Sequence, residues 1–322
     1  MKPDYQDIIN ILQNQHDMLL VGHEYPDGDC LGSVLALYEI FGGAEKNWQM
    51  LVHDEIPKNL RFLPGLEKMV APDSVDDSQY SAVLLVDCGE AKRCGPWLEP
   101  MLSGKKVYCI DHHISNVFHG DLAVVEPNAG ATAEIVAAIA LQAGSVISDS
   151  AALNLYAAMA ADTGCFRFNN TTSRSMEIAA VLLPQIDLET IRIHLFEDRS
   201  LTNIAMLAEC LNNIVVECDG LLSYSYLPHE KMLQVNAKPT DCHNIINFTL
   251  AVSGVKVGLL FEEHEDYVKM SFRCRNGYRV DELAEFFGGG GHKVASGCKM
   301  DGNLKQVMPL VLAKARELIV NR

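Results

Sequence analysis

The stretch MLLVGHEYPDGD, residues 18–29, decides the fold. Four apolar residues end on Gly22 and His23, and a polar turn carrying Asp27, Gly28 and Asp29 leads into a helical pattern over 31–41. A continuously apolar run this short suits a strand buried on both faces, the condition of a parallel sheet. Runs at 48–52, 82–86 and 107–110 share that texture, and helical patterns follow at 132–141, 151–161 and 173–183. The alternation predicts an open α/β sheet with helices on both faces.

Working outward, the texture changes beyond residue 184. Residues 221–227 and 255–261 read as strands, and 268–275 alternates strictly. Val268, Met270, Phe272 and Cys274 face one way, Lys269, Ser271, Arg273 and Arg275 the other, which predicts a half-buried strand with a basic outer face. A helix over 280–287 runs into four glycines, 288–291, and an amphipathic helix covers 304–320. The expected fold class is α/β in two domains, as the 322 residues suggest at roughly 150 per domain. A mostly parallel sheet covered by helices takes 1–190, a helical linker 191–213, and a smaller mixed-sheet α/β domain 214–322, with an interdomain active-site cleft.

Composition bounds the function. Hydrophobic residues make up 48% and charged ones 21%, ordinary for a globular protein with a large core. Twenty-six Lys and Arg against 42 Asp and Glu give a net charge of −16. That field argues against a clamp on long duplex DNA, which needs a basic face. It leaves room for small anions at a locally positive or metal-bearing site. No apolar run is long enough to span a membrane. The opening MKPDYQDIINILQNQHD lacks the order of a signal peptide, so a cytoplasmic protein is expected. Ten cysteines without a CxxC pair indicate neither a zinc knuckle nor a disulfide framework.

Sites in open α/β sheets form at the carboxyl ends of the strands. There this chain places His23, Asp27 and Asp29 after the first run, Asp87 after the run ending at 86, and Asp111, His112 and His113 after residue 110. Asp162 follows the helix ending at 161. Carboxylates suit hard cations, and added imidazoles shift preference from magnesium towards manganese and its neighbours. One central carboxylate bridging two ions about 3.5–4 Å apart, with a hydroxide between them, is the geometry of two-metal phosphoryl hydrolysis. Each residue also has a plainer role. Asp27-Gly28-Asp29 suits a turn, Asp162 a helix end, Asp87 a solvated loop. Their convergence on one sheet edge favours the metal reading over four coincidences.

In this order, H-x-x-x-D-x-D, a strand-end Asp, Asp-His-His and Asp-Thr-Gly, the chain resembles the DHH phosphoesterase superfamily, which includes RecJ-type exonucleases and manganese-dependent soluble pyrophosphatases. The resemblance implies two divalent cations, most simply Mn²⁺. His23, Asp27 and Asp87 would hold one, and Asp29, Asp87, His112 and Asp162 the other. It further implies catalytic roles for Asp87 and for His113 as a phosphate contact or general acid. Asp111 would orient an imidazole. Thr132 reads as the cap of its helix.

The second unusual string is Gly288 to Gly291, His292, Lys293, then Ala295-Ser296-Gly297. Glycines are costly in a helix or strand but let backbone approach a ligand, and successive N–H groups can cradle an anion. A flexible hairpin is the plainer reading. Arg273 and Arg275 shift the balance, because a guanidinium fork suits phosphate oxygens. Ser271-Phe272-Arg273 followed by the glycine–histidine string resembles the glycine-rich domain that accompanies DHH domains in nanoRNases, and not the C-terminal domain of the pyrophosphatases. That resemblance implies nucleotide binding by Arg273, Arg275, Gly289, Gly290, Gly291 and His292. The expected activity is manganese-dependent hydrolysis of short single-stranded RNA, and of 3′-phosphoadenosine 5′-phosphate to AMP. A cyclic di-AMP or pApA phosphodiesterase is the alternative, and a nucleotide-binding regulator without catalysis a further one. Membrane and long-duplex partners are not expected, and a homodimer is left open.

Overall fold

The computed structural model describes residues 4–320 apart from 243 and 276, and the side chain of His292 lies outside the described residues. The chain divides into two units, Met1–Asp198 and Arg199–Arg322.

The first unit begins with α1 (Gln6–Asn14), β1 (Met18–Val21), α2 (Gly28–Ile40), β2 (Gln49–Leu51), β3 (Met69–Val70) and β4 (Ala82–Val86). It continues through α3 (Leu98–Met101), β5 (Lys106–Asp111), β6 (Leu122–Val125), α4 (Thr132–Gln142), α5 (Asp149–Asp162), α6 (Ser173–Leu182) and α7 (Leu188–Arg192). The six strands pair in parallel in the order β3-β2-β1-β4-β5-β6. Chain order therefore runs outward in both directions from the β1–β4 pair, which is the topological switch point where such sheets build sites. β1 and β4 are buried along their whole length, which is why they read as unbroken apolar runs. Edge strands β3 and β6 are only partly buried; β3 has just two residues, while β6, Leu122–Val125, is a four-residue apolar run that the reading of the sequence passed over.

On one face, Leu20, Leu84 and Ile110 join α1, α2, α4 and α5 in the larger core, while Leu19, Val21, Val83, Leu85 and Cys109 pack a second cluster on the other. α2 and α5 approach unusually closely. A Cβ on Gly32 would lie 2.5 Å from the Asn154 carbonyl oxygen and 2.8 Å from the Ala158 Cβ; one on Gly28 would lie 2.7 Å from the Ala161 Cβ. Two bare residues one turn apart thus set the spacing between these helices.

The second unit contains α8 (Leu201–Asn212), β7 (Val215–Glu217), β8 (Leu222–Leu227), α9 (His229–Gln234), β9 (Val257–Glu263), β10 (Tyr267–Cys274), α10 (Val280–Phe286), β11 (Gly290–His292), β12 (Ala295–Asp301) and α11 (Leu304–Val320). Its mixed sheet runs β11-β12-β10-β9-β8-β7, with β8–β9 parallel and the other pairs antiparallel. Val268, Met270, Phe272 and Cys274 pack with residues of α10 and α11, as the alternation predicts. The opposite face is not an open basic surface. A 3₁₀ segment, Ile245–Ala251, lies against it, and a Cβ on Gly258 would meet the Thr249 hydroxyl at 2.2 Å. The glycine run is not simply a loop either: Gly290 to His292 form an edge strand paired with β12. Among the described residues no helix is long and apolar enough to cross a membrane.

Gly32→Ala should force α2 and α5 apart, at about 1–3 kcal/mol for overpacking. Thermal unfolding checks this: the transition of the first unit should fall by several degrees, given roughly 2–4 °C per kcal/mol at this size.

Candidate functional site

β1, β4 and β5 are adjacent and parallel, so the loops leaving their carboxyl ends share one edge. Each loop is fixed by its own chemistry. The Asp27 carboxylate accepts from the Asp29 and Cys30 amides, both at 3.0 Å, and so caps α2. Asp27 takes the turn role and also lies close to His23 and Asp87. Asp29, on the first turn of α2, is 1% exposed and reaches to the start of another helix. It accepts from the amides of Thr132 (2.6 Å) and Ala133 (2.9 Å) and from the Ser33 hydroxyl (3.2 Å). The unpaired N–H groups of α4 thus hold a carboxylate donated from elsewhere.

Thr132 departs from its expected role. Ala131 is the N-cap of α4 and makes no side-chain cap, while the buried Thr132 hydroxyl donates to Asp87 Oδ1 at 2.7 Å. Asp87 itself sits at φ +59°, a conformation uncommon for a residue with a Cβ and concentrated at functional sites.

Three groups of potential ligand atoms result, each within 4.8 Å of one another: His23, Asp27 and Asp87; Asp29, His112 and Asp162; and Asp87, His112 and His113. His23 Nε2 lies 3.8 Å from Asp27 Oδ1 and 3.5 Å from Asp87 Oδ2. His112 Nε2 is 3.7 Å from an oxygen of each of Asp29, Asp87 and Asp162. In both histidines Nδ1 faces a backbone carbonyl, Glu24 at 2.7 Å and Ala129 at 3.2 Å. Only a ring N–H can bond a carbonyl oxygen, so Nδ1 carries the proton and Nε2 is turned towards the acids.

Asp111 has a different position. Fully buried, it accepts from the His112 and His113 amides, from His113 Nδ1 at 2.7 Å and from Asn116 Nδ2 at 2.6 Å. It holds the His113 ring by its bond to Nδ1 and belongs to none of the ligand groups. Asp162 is reached through the α2–α5 contact, since it follows Ala161 as Asp29 follows Gly28. The Asn170 amide bridges an Asp162 oxygen (3.2 Å) and the Gly130 carbonyl (2.9 Å).

Every ion-pair partner of Asp27, Asp29, Asp87 and Asp162 among the described residues is a histidine. Burial, then Asp87, Asp162 and Asp27, push the Asp29 carboxyl well above the usual carboxylate range. Burial, with Asp27 and Asp87 adding to it, pushes Asp162 up to about 6 against the opposing His112. Burial alone would lower the His23 pKa, but its bonds to Asp27 and Asp87 prevail and raise it to about 11. Carboxylates that repel one another in a buried, mixed oxygen–nitrogen donor set fit a divalent cation.

In the second unit, Ser271 and Arg273 line a groove of about 280 Å³ with Cys242, Asn244, Ile246, Glu262 and Lys269. The Arg273 guanidinium donates to the Phe272 carbonyl at 2.9 Å and has no carboxylate partner among the described residues; burial lowers its pKa. Lys269 is neutralised by Glu262, at 3.1 and 3.2 Å from its two oxygens. Arg275 is exposed, donates to the Leu250 carbonyl at 2.8 Å and does not line this groove. Gly289 and Gly291 serve close packing, where a Cβ would meet the Gly297 carbonyl at 2.2 Å and the Ser296 Cα at 2.6 Å. Gly290 faces open space.

A model of the DHH family N-terminal domain matches residues 17–160, and one of the DHHA1 domain matches 222–321. The chain is 32% identical over 301 residues to the bifunctional oligoribonuclease and PAP phosphatase NrnA of Thermus thermophilus, covering 92% of this chain and 88% of that protein. The chain belongs to the DHH family. A second relative with that name, from Bacillus subtilis, is 25% identical over 91% of this chain and 92% of its own. An exopolyphosphatase-related protein of Bacteroides fragilis has the same fold, at a TM-score of 0.91 and 24% identity over 97% of this chain and 95% of that one. The relatives named as oligoribonucleases and PAP phosphatases are hydrolases of phosphoester bonds, and the acid–imidazole edge of this DHH chain supports use of a divalent metal.

Sequence reasoning missed the ring behind that edge. Glu134, 1% exposed, accepts from the Gly130 amide, Arg174 Nε and the Thr172 and Ser175 hydroxyls. Arg174 also bonds Glu126 and Tyr5. Thr132 carried a usable signal, since it opens a helix at the populated sheet edge. Arg174 carried none.

The pH dependence of the metal-free DHH protein follows from Asp162. A carboxyl with a raised folded pKa binds its proton more tightly when folded, so its contribution falls as pH rises from 3.8 to about 6. In chelator, the melting temperature should drop across that window, and Asp162→Asn should flatten the drop. A slope unaltered by the substitution would mean that the acids do not strain one another.

Proposed function

We propose that this chain hydrolyses phosphoester bonds in short oligoribonucleotides and in 3′-phosphoadenosine 5′-phosphate, using two divalent cations, manganese by preference. His23, Asp27 and Asp87 would hold one ion; Asp29, Asp87, His112 and Asp162 the other. The observation that carries this reading is Asp87, whose two oxygens face different histidines, Oδ2 towards His23 and Oδ1 towards His112. A carboxylate so placed would serve as a ligand to both ions, since His112 joins its group to that of Asp29 and Asp162. The mixed imidazole and carboxylate donors favour manganese over magnesium. When bound, such a pair neutralises charge on the transferring phosphoryl group and lowers the pKa of attacking water.

The chain's own residues supply the rest. Thr132 fixes one Asp87 oxygen, and the α4 amides fix Asp29, so the donors need little rearrangement on loading. Burial disfavours a charged His113, but its bond to Asp111 outweighs that and raises the pKa. His113 thereby holds a proton that its Nε2 can pass to the leaving oxygen. Arg273, a half-buried cation with no internal counter-charge among the described residues, is suited to a substrate phosphate, and Gly290, whose face is open, leaves backbone accessible on the edge strand of the same sheet. His292 and Arg275 complete the proposed nucleotide-binding set. The relatives named for oligoribonuclease and PAP phosphatase activity support the nucleotide class.

A panel of dinucleotides, 3′-phosphoadenosine 5′-phosphate, cyclic di-AMP and pyrophosphate with manganese tests the reading, and the first two should be cleaved fastest. Asp87→Asn should lower kcat by at least about a hundredfold and reduce bound manganese. Asp111→Asn should cost about 10–100-fold with metal retained. Arg273→Ala should chiefly raise KM for nucleotides, with metal content unchanged. Near-normal turnover in Asp87→Asn would refute the assignment.

A further inference from the structure

The loop that delivers His23 and Asp27 carries a residue the hydrolytic reading leaves unused. Tyr25 lies between them at φ +53°, directly before Pro26. A left-handed backbone is a rare state for a bulky residue, and a following proline restricts it further. The fold holds the loop there by three bonds. The His23 ring donates to the Glu24 carbonyl at 2.7 Å, the Glu24 amide to the Arg93 carbonyl at 2.7 Å, and the Tyr25 amide to Asp54 at 2.7 Å. Yet the side chain so fixed is 82% exposed. An aromatic ring in a strained, over-determined backbone and facing water is not explained by packing.

Arg93, bonded to the same loop through its carbonyl, is the second observation. It sits on a 3₁₀ turn, Ala91–Cys94, that returns to the β4 exit, where the Cys94 and Cys88 sulfurs are 3.0 Å apart and Cys88 follows Asp87. Its side chain is exposed, has no ion-pair partner among the described residues, and its charge is felt at His113. An aromatic face and an uncommitted guanidinium therefore flank the acid edge on two tied loops. Bases stack on aromatic side chains whatever their sequence, and a guanidinium fork takes phosphate.

We propose that Tyr25 and Arg93 form a nucleotide-binding rim within the first unit: the tyrosine ring stacks on the base of the nucleotide whose phosphate enters the acid edge, and Arg93 holds a second phosphate of the same substrate. The proposal rests on the nucleotide reading above and narrows it to substrates carrying a base and at least two phosphates. A rim of this kind rewards a base of any identity and discriminates against ligands that lack one.

The test compares equilibrium binding of AMP and of ribose 5-phosphate, which differ only in the base, to the manganese-loaded full chain. Stacking is worth about 1–3 kcal/mol per base, so AMP should bind about tenfold more tightly. Tyr25→Ala should close that gap, and Tyr25→Phe, which keeps the π-face, should preserve it. Arg93→Ala should leave the gap intact and raise KM for pApA more than for ApA. No gap in the wild type, or a gap surviving in Tyr25→Ala, overturns the stacking role. Equal KM changes for pApA and ApA overturn the role of Arg93. Failure of the nucleotide reading is separately visible as absence of nucleotide hydrolysis, which leaves the binding comparison decisive.

Discussion

Four carboxylates, Asp27, Asp29, Asp87 and Asp162, are brought together with no lysine or arginine paired to them among the described residues. The architecture of the first unit is a solution to holding that repulsion in place. The N-terminus of α4 supplies Asp29 with two amides, the Thr132 hydroxyl takes one oxygen of Asp87, and the start of α2 takes Asp27. Asp162 arrives because Gly28 and Gly32 let α5 lie against α2 at a distance no other residue permits. Folding energy from the apolar clusters is thus spent on a charge arrangement that protons or a bound cation relieve. That is the usual relation between a stable scaffold and a strained site.

The same constraint explains why structural and functional readings of single residues so often coincide here. Asp27 is a helix cap and belongs to a ligand group, because a cap fixes a carboxylate at a helix start with one oxygen left for other work. Asp29 caps a helix that is not its own. Asp111 satisfies the turn after β5 and also orients His113. A carboxylate whose position is dictated by backbone amides loses little entropy on binding a metal, so capping and ligation reinforce one another.

How much of this was legible depends on what each residue's neighbours had to be. β1, β4 and β5 were readable because strands in the middle of a parallel sheet must be apolar on both faces. Edge strand β3 was not, being two residues long with no such requirement, whereas the apolar run of β6 was there to be read. β11 was hidden because glycine is poorly suited to strands. It pairs there since Gly289 and Gly291 permit a backbone approach that any side chain would block. The alternation of β10 predicts a basic outer face but does not say what covers it, because strand periodicity reports two faces and not their partners. The ligand-bearing acids were legible by position, at strand ends. Arg174 and Glu134 were not, because a network that joins α4 and α6 to Tyr5 and Glu126 has no local spacing.

The acidic surface and the anionic substrate class are reconciled by where positive charge is left unspent. Several of the protein's cations are committed, Lys269 to Glu262, Arg174 to Glu126 and Glu134, Arg316 to Glu217. Arg273 is not, and it is half-buried in a groove where its field is screened less than at the surface. With the two proposed divalent cations loaded, the charge of the four aspartates would be cancelled and the acid edge would no longer repel a phosphate. A net charge of −16 then acts only on ligands long enough to extend beyond those points. A polynucleotide pays repulsion along its length while a dinucleotide meets only the local wells, so restriction to short chains can arise from electrostatics alone, without a wall to measure length.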